Sequence, residues 1–66
     1  MKNDNKFQQG FACAVSVLIE SEREVNTVTK ELFKTGLGEY DLKKFRRWGI
    51  DEHDIDVFKK YRKELM

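Results

Sequence analysis

The sequence predicts a small all-α domain of four helices, and two observations lead to this prediction. Apolar residues recur at intervals of three and four, the spacing that gathers side chains on one face of an α-helix. Glycines and capping residues divide the 66 residues into segments of helical length, with no proline to interrupt them. This length allows one domain, which we expect over residues 6–66, after a polar and flexible segment at residues 1–5.

Predicted helix 1 runs from Lys6 to Glu22 or Arg23 and contains the only long apolar run, FQQGFACAVSVLI at residues 7–19. At about 100° per residue, its apolar arc covers roughly 220°, far more than the ~100° stripe of an ordinary surface helix. Such a helix needs cover on more than one flank. We therefore place it at the centre of two helical hairpins. Either those helices wrap it, or part of it contacts a second molecule.

Small residues within this run indicate close packing. Gly10 and Ala14 share a face, and Gly10 costs about 1 kcal/mol of helix propensity relative to alanine. The partner is either a helix of the same chain or a second copy, and we include Val17 in this candidate interface. The run is too short for the ~20 residues of a membrane span. It also lacks the basic leader and cleavage site of a signal peptide, so no membrane segment is expected.

Predicted helix 2 follows an Asn26 cap and extends from about Thr27 to Thr35. Val28 and Leu32 are four residues apart and are assigned to its inner face. Phe33 lies about 100° further round, so it either joins the core or anchors a protein partner. Gly36 is predicted to end this helix in the left-handed conformation, which would let the next leucine fold back.

Predicted helix 3 covers about Glu39 to Trp48, and predicted helix 4 about Glu52 to Leu65. Gly49 is expected to end helix 3, and Asp51 to cap helix 4. The apolar residues of these helices recur at helical spacing and are assigned to the core: Leu42, Phe45, Trp48, Ile55, Phe58, Tyr61 and Leu65, with Val57 at its edge.

The composition argues for an intracellular protein without covalent or metal cross-links. The formal net charge of +1, from 13 basic and 12 acidic residues, gives no overall signal for nucleic acid. Cys13 is the only cysteine, which excludes an internal disulfide and fits a reducing cytoplasm. Small domains without such cross-links often associate, so self-association is expected.

Predicted helix 3 also supports an alternative function, DNA binding by a helix-turn-helix-like module. Four basic residues on its polar face would contact phosphates: Lys43, Lys44, Arg46 and Arg47. Glu39 and Asp41 argue against this function, because they occupy the first turn, where a recognition helix presents donors to base edges. A solvated face whose charges match the helix dipole explains the same pattern.

Neither a metal site nor a catalytic site is predicted. The acidic stretch DEHDID at residues 51–56 radiates around the first turn of a helix and lacks the spacing of a calcium loop. Cys13 lies in an apolar run, with no helix N-terminus to activate it as a nucleophile for His53. We therefore expect no enzyme and no cofactor.

Three segments carry a resemblance to known proteins: GFACAV, NTVTKELFKTGL and EYDLKKF. They resemble a type of small bacteriophage and prophage protein over roughly Phe7 to Phe45. The usual His-Gly turn of that type is replaced here by Ser-Glu-Arg-Glu at residues 21–24. The resemblance implies a phage or mobile-element origin and a bacterial cytoplasm. It implies no activity, because none is known for the type.

These observations together predict a small, non-enzymatic helical protein that acts by protein–protein binding and self-association. The expected interface residues are Gly10, Ala14, Val17 and Phe33.

Overall fold

The computed structural model describes residues 5–66, and these fold into helices without any strand. The helices are α1 (Lys6–Glu22), α2 (Thr27–Leu37), α3 (Leu42–Arg47), α4 (Glu52–Lys60) and α5 (Arg62–Leu65). The predicted all-α class is confirmed. Helix α1 packs against α2 and α4, while α5 packs against α2 and α4. The segment expected to be flexible, residues 1–5, lies outside the described residues except for Asn5.

Side-chain caps set the starts of three helices. The side-chain oxygen of Asn26 accepts a hydrogen bond from the Thr29 N–H at 2.9 Å. A carboxylate oxygen of Asp51 accepts one from the His53 N–H at 2.8 Å. Both predicted caps are therefore confirmed. Asp41 accepts from the Lys44 N–H at 3.2 Å. Because Asp41 is a cap rather than an interior residue, α3 begins three residues later than predicted.

The two predicted glycine stops have different outcomes. Gly49 follows α3 with φ of 78°, and the N–H of Ile50 donates to the Phe45 carbonyl at 3.1 Å, as predicted. The stop at Gly36 is wrong, because α2 continues to Leu37 and ends at Gly38, whose φ is 80°. Gly36 instead lies directly against the Phe11 ring, where a Cβ would collide with it. A close approach of α1 to α2, not a turn, therefore requires this glycine.

Predicted helix 4 is two helices in the structure. Helix α4 ends at Lys60, Tyr61 adopts φ of −108° and ψ of 26°, and α5 adds a short turn at Arg62–Leu65. The break keeps Leu65 fully buried while Tyr61 lies at the edge of the core.

Three fully buried phenylalanines form the centre of the core. The Phe33 ring meets Phe58 and Phe45 edge-on, with centroids 5.1 and 5.8 Å away, and Phe45 and Phe58 are also 5.8 Å apart. Edge-to-face contacts of this kind stabilise aromatic pairs beyond the burial of their area. The remaining buried apolar residues surround this cluster: Ala12, Val15, Ile19, Leu37, Ile50, Ile55, Val57 and Leu65.

The predicted inner face of α2 is wrong by one position. Thr29, Phe33 and Leu37 are buried, whereas Val28 is 67% exposed and Leu32 is 40% exposed. The continuation of α2 through Gly36 places Leu37 in line with Thr29 and Phe33, at i, i+4 and i+8, and that line faces the core. Phe33 is thus a core residue, and its assignment to a protein interface is wrong.

Helix α1 is covered on one side only. Ala12, Val15, Ser16 and Ile19 are buried, whereas Phe7 and Val17 are 64% and 58% exposed. The expectation that the other helices wrap most of the apolar arc is therefore wrong. They contact one flank of α1, and the remaining apolar residues of this helix are exposed or half-buried.

Candidate interaction surface

Helix α1 has a buried line of residues that faces the core and a second, apolar line beside it. The buried line is the half-buried Gln8 followed by Ala12, Val15 and Ile19, while Phe7, Phe11, Ala14 and Leu18 repeat the same 4-3-4 spacing one residue earlier. We call this second set the α1 seam. Phe7 and Ala14 of the seam are exposed, and Phe11 and Leu18 are half-buried. A 4-3-4 spacing is the one by which a helix packs lengthwise against another helix.

Helix α2 widens the apolar area beside the seam. Leu32 closes a groove of about 220 Å³ between α1 and α2, whose other walls are Phe11, Ala14, Val15 and Leu18. Val28 lies one turn from Leu32 and is exposed. The groove is smaller than the ~300–1,000 Å³ of typical small-molecule pockets, so its size suits a protein side chain.

Three of the four expected interface residues lie on this side of α1. Gly10, Ala14 and Val17 are exposed, and a Cβ built on Gly10 has no atom within 4 Å. Packing within the chain therefore does not explain Gly10. We define the apolar surface as the α1 seam together with Gly10, Val17, Val28 and Leu32.

The sequence interpretation assigned Val28 and Leu32 to the inner face of helix 2, and it did not separate Phe7 and Leu18 from the rest of the apolar arc of helix 1. The signal that separates the α1 residues is the presence of two lines with the same spacing, one position apart. A helix that contacts its own domain on one side can bury only one such line.

The charges of α1 oppose its own dipole. Its first turn has no acidic residue and its last turn no basic one; Lys6 lies at the start, and Glu20 and Glu22 at the end. Helix α4 shows the usual order, acidic in its first turn and basic in its last. Negative charge is favourable at a helix N-terminus and unfavourable at the C-terminus. Arg23 at the C-cap is the described charge at this end that complements the dipole, so the charges within α1 itself do not stabilise the helix.

The basic face of α3 is partly engaged within the chain. The Lys44 ammonium lies 5.1 Å from the Trp48 ring centroid, and Arg46 Nε lies 3.4 Å from a carboxylate oxygen of Glu52. Lys43 and Arg47 are exposed on one face. The helix has six residues, shorter than the predicted one, because Asp41 caps it.

Cys13 and His53 lie in one shallow depression with Gln9, Gly49, Asp51 and Asp54. The imidazole Nε2 of His53 is directed at a Glu20 oxygen, 3.0 Å away, rather than at the thiol. Within residues 5–66, no three histidine, cysteine, aspartate or glutamate side chains converge as a metal site would require.

The His53–Glu20 contact links α4 to α1 and makes stability depend on pH. The pKa of His53 is raised by the hydrogen bond of its imidazole to Glu20 and by the negative charge of that carboxylate. The charges of Asp54 and Asp51 raise it further. A raised folded-state pKa gives a stabilisation that is fully present below the unfolded value of about 6.5 and is lost as pH rises through the folded pKa. As pH rises above about 6.5, the stabilising effect of His53 relative to a His53→Asn variant should therefore decrease.

Urea denaturation of both proteins at several pH values measures this difference. The matched control is the same comparison in a Glu20→Gln background, where the decrease should be much smaller. An equal pH dependence in both backgrounds would show that Glu20 is not the cause.

No helix among the described residues combines the length and apolar character needed to cross a bilayer. The chain matches no protein-family model, and no curated protein or solved structure is significantly similar to it. The function is therefore argued from the surface itself.

Proposed function

We propose that this chain is a small, non-enzymatic interaction protein that binds protein through its apolar surface and associates with itself. The α1 seam is the observation that supports this most strongly. Exposed apolar area is normal when scattered, but contiguous apolar area next to a well-formed core is typical of binding sites. Burial of such area stabilises a complex by about 25 cal/mol per Å² before the costs of association.

The same proposal includes the origin of the protein and its location in the cell. The resemblance of residues 7–45 to small phage and prophage proteins, with the single cysteine, supports a phage or prophage origin and a bacterial cytoplasm. No cofactor is part of the proposal, because binding through an apolar surface needs none.

Self-association can be tested by replacing Phe7 with glutamate. Phe7 is exposed in the first turn of α1, where a carboxylate is favourable for the helix dipole, so the variant should fold. We expect the natural protein to form dimers at micromolar to millimolar concentration in sedimentation equilibrium, and Phe7→Glu to remain monomeric.

Met66→Glu is the matched control, because Met66 is 57% exposed and lies outside the apolar surface. It makes the same change in charge and should leave dimerisation intact. Equal loss of dimer in both variants would show that net charge, not the apolar surface, governs association.

DNA binding is the second candidate function, favoured by the exposure of Lys43 and Arg47 one turn apart on α3. Affinity for duplex that falls steeply with salt, and disappears when both residues are changed to glutamate, identifies this function. The absence of any mobility shift at low salt excludes it.

A further inference from the structure

We infer that the groove between α1 and α2 receives Phe7 of a second copy, with the two α1 helices packed antiparallel. This inference rests on the proposed function, since it takes the apolar surface to be the binding surface. It adds the identity of the occupant, the orientation of the helices and the pairing of residues.

The spacing of the α1 seam fits a twofold axis that passes between positions 12 and 13. Such an axis places Phe7 opposite Leu18 of the second copy, and Phe11 opposite its Ala14. Each aromatic ring then faces a smaller residue, as interdigitating helices require. The same contact occurs twice, which is the pattern of a symmetric dimer.

The groove supplies the cavity for Phe7. In this pairing the Phe7 ring lies over Ala14 and Leu18 of the other copy, beside its Leu32, and these three residues line the groove. Phe7 contacts the Phe11 ring of its own chain, with centroids 5.6 Å apart, and most of its surface remains uncovered. The exposed ring and the open groove are thus complementary in shape and in apolar character.

The charges of α1 select the antiparallel orientation. The end of α1 that has Lys6 then lies near the end of the second copy that has Glu20 and Glu22. The glutamates of each copy supply the negative charge that the first turn of the other lacks. A parallel pair would instead place glutamates beside glutamates. Lys6 also has a contact within its own chain, and Glu20 is hydrogen-bonded to His53. The charges therefore favour the antiparallel orientation through long-range attraction rather than through direct ion pairs.

An interface of standard size would need more area than the α1 seam offers. A standard interface buries about 800 Å² per partner, roughly a sixth of this chain's 4654 Å² of accessible surface. The four seam residues span only about 17 Å of helix. Leu32 and Val28 extend the contact, so the dimer is a bundle of two α1–α2 hairpins.

Pulsed electron paramagnetic resonance tests the orientation with two single spin labels. Ser21 is exposed and lies beyond the seam. Cys13 is at the level of the proposed axis along the helix, on the side of α1 that faces α4. In an antiparallel dimer, labels on Ser21→Cys, made in a Cys13→Ser background, are separated by about 25 Å along the helices. Labels on the native Cys13 are level with each other along the helices in either orientation, but they lie on the α4 side of α1, away from the seam, so their separation changes little with orientation and serves as the reference distance.

A Ser21 distance of at least about 25 Å, not shorter than the Cys13 distance, is the expected result. A Ser21 distance clearly shorter than the Cys13 distance would overturn the antiparallel arrangement, while the dimer and the proposed function would stand. The absence of dipolar coupling, in a sample that sedimentation shows to be monomeric, would overturn the second copy as the occupant.

Discussion

Replacement of Phe33 by alanine should remove a large part of the protein's free energy of unfolding. The side chain is fully buried between Phe45 and Phe58, and also stacks on Tyr40 with centroids 6.4 Å apart. Truncation of a buried phenylalanine costs about 3–5 kcal/mol. A domain of this length has a total stability of only about 3–10 kcal/mol. Urea denaturation followed by circular dichroism measures the loss.

Leu32→Ala is the matched control, because Leu32 is the neighbour of Phe33 on α2 but is partly exposed. We expect it to reduce the free energy of unfolding far less and to weaken self-association instead. Phe33→Ala should instead act mainly on the free energy of unfolding. If the two variants lost stability equally, the assignment of Phe33 to the core and of Leu32 to the apolar surface would be contradicted.

The helix boundaries set by local interactions could be predicted from the sequence. The caps at Asn26 and Asp51 depend on residues within three positions, and the stop at Gly49 on contacts within five. Such short-range contacts form in the same way whatever the rest of the chain does. The helical class followed from these boundaries and from the apolar spacing.

Features that depend on distant residues could not be predicted. Gly36 has the same sequence signature as a helix stop, but the Phe11 ring of another helix determines its role. The inner face of α2 was ambiguous by about 100°, because Val28 and Leu32 form as regular a pair as Thr29 and Phe33. Only the packing against α1, and the length that α2 gains beyond Gly36, decide between them.

The apolar surface was likewise predictable in part. The excess of apolar residues on α1 was visible in the sequence and correctly implied that the helix is more apolar than one contact face requires. Which line faces the core was not visible, since Ala12, Val15 and Ile19 are as apolar and as regularly spaced as the seam residues. In the structure Phe11 of the seam packs on Gly36 of α2, while Phe7 and Ala14 remain exposed.

The two helical glycines should therefore respond to alanine with opposite signs. Gly36→Ala places a Cβ against the Phe11 ring, and the resulting strain of about 1–3 kcal/mol should exceed the gain of up to about 1 kcal/mol in helix propensity, so the free energy of unfolding should fall. Gly10→Ala meets no atom within 4 Å and should raise it by up to about 1 kcal/mol through helix propensity. Urea denaturation at a concentration where the protein is monomeric separates these effects from dimerisation. Stabilisation by both alanines would show that Phe11 does not pack on Gly36, and the groove that this contact creates would then lose its basis.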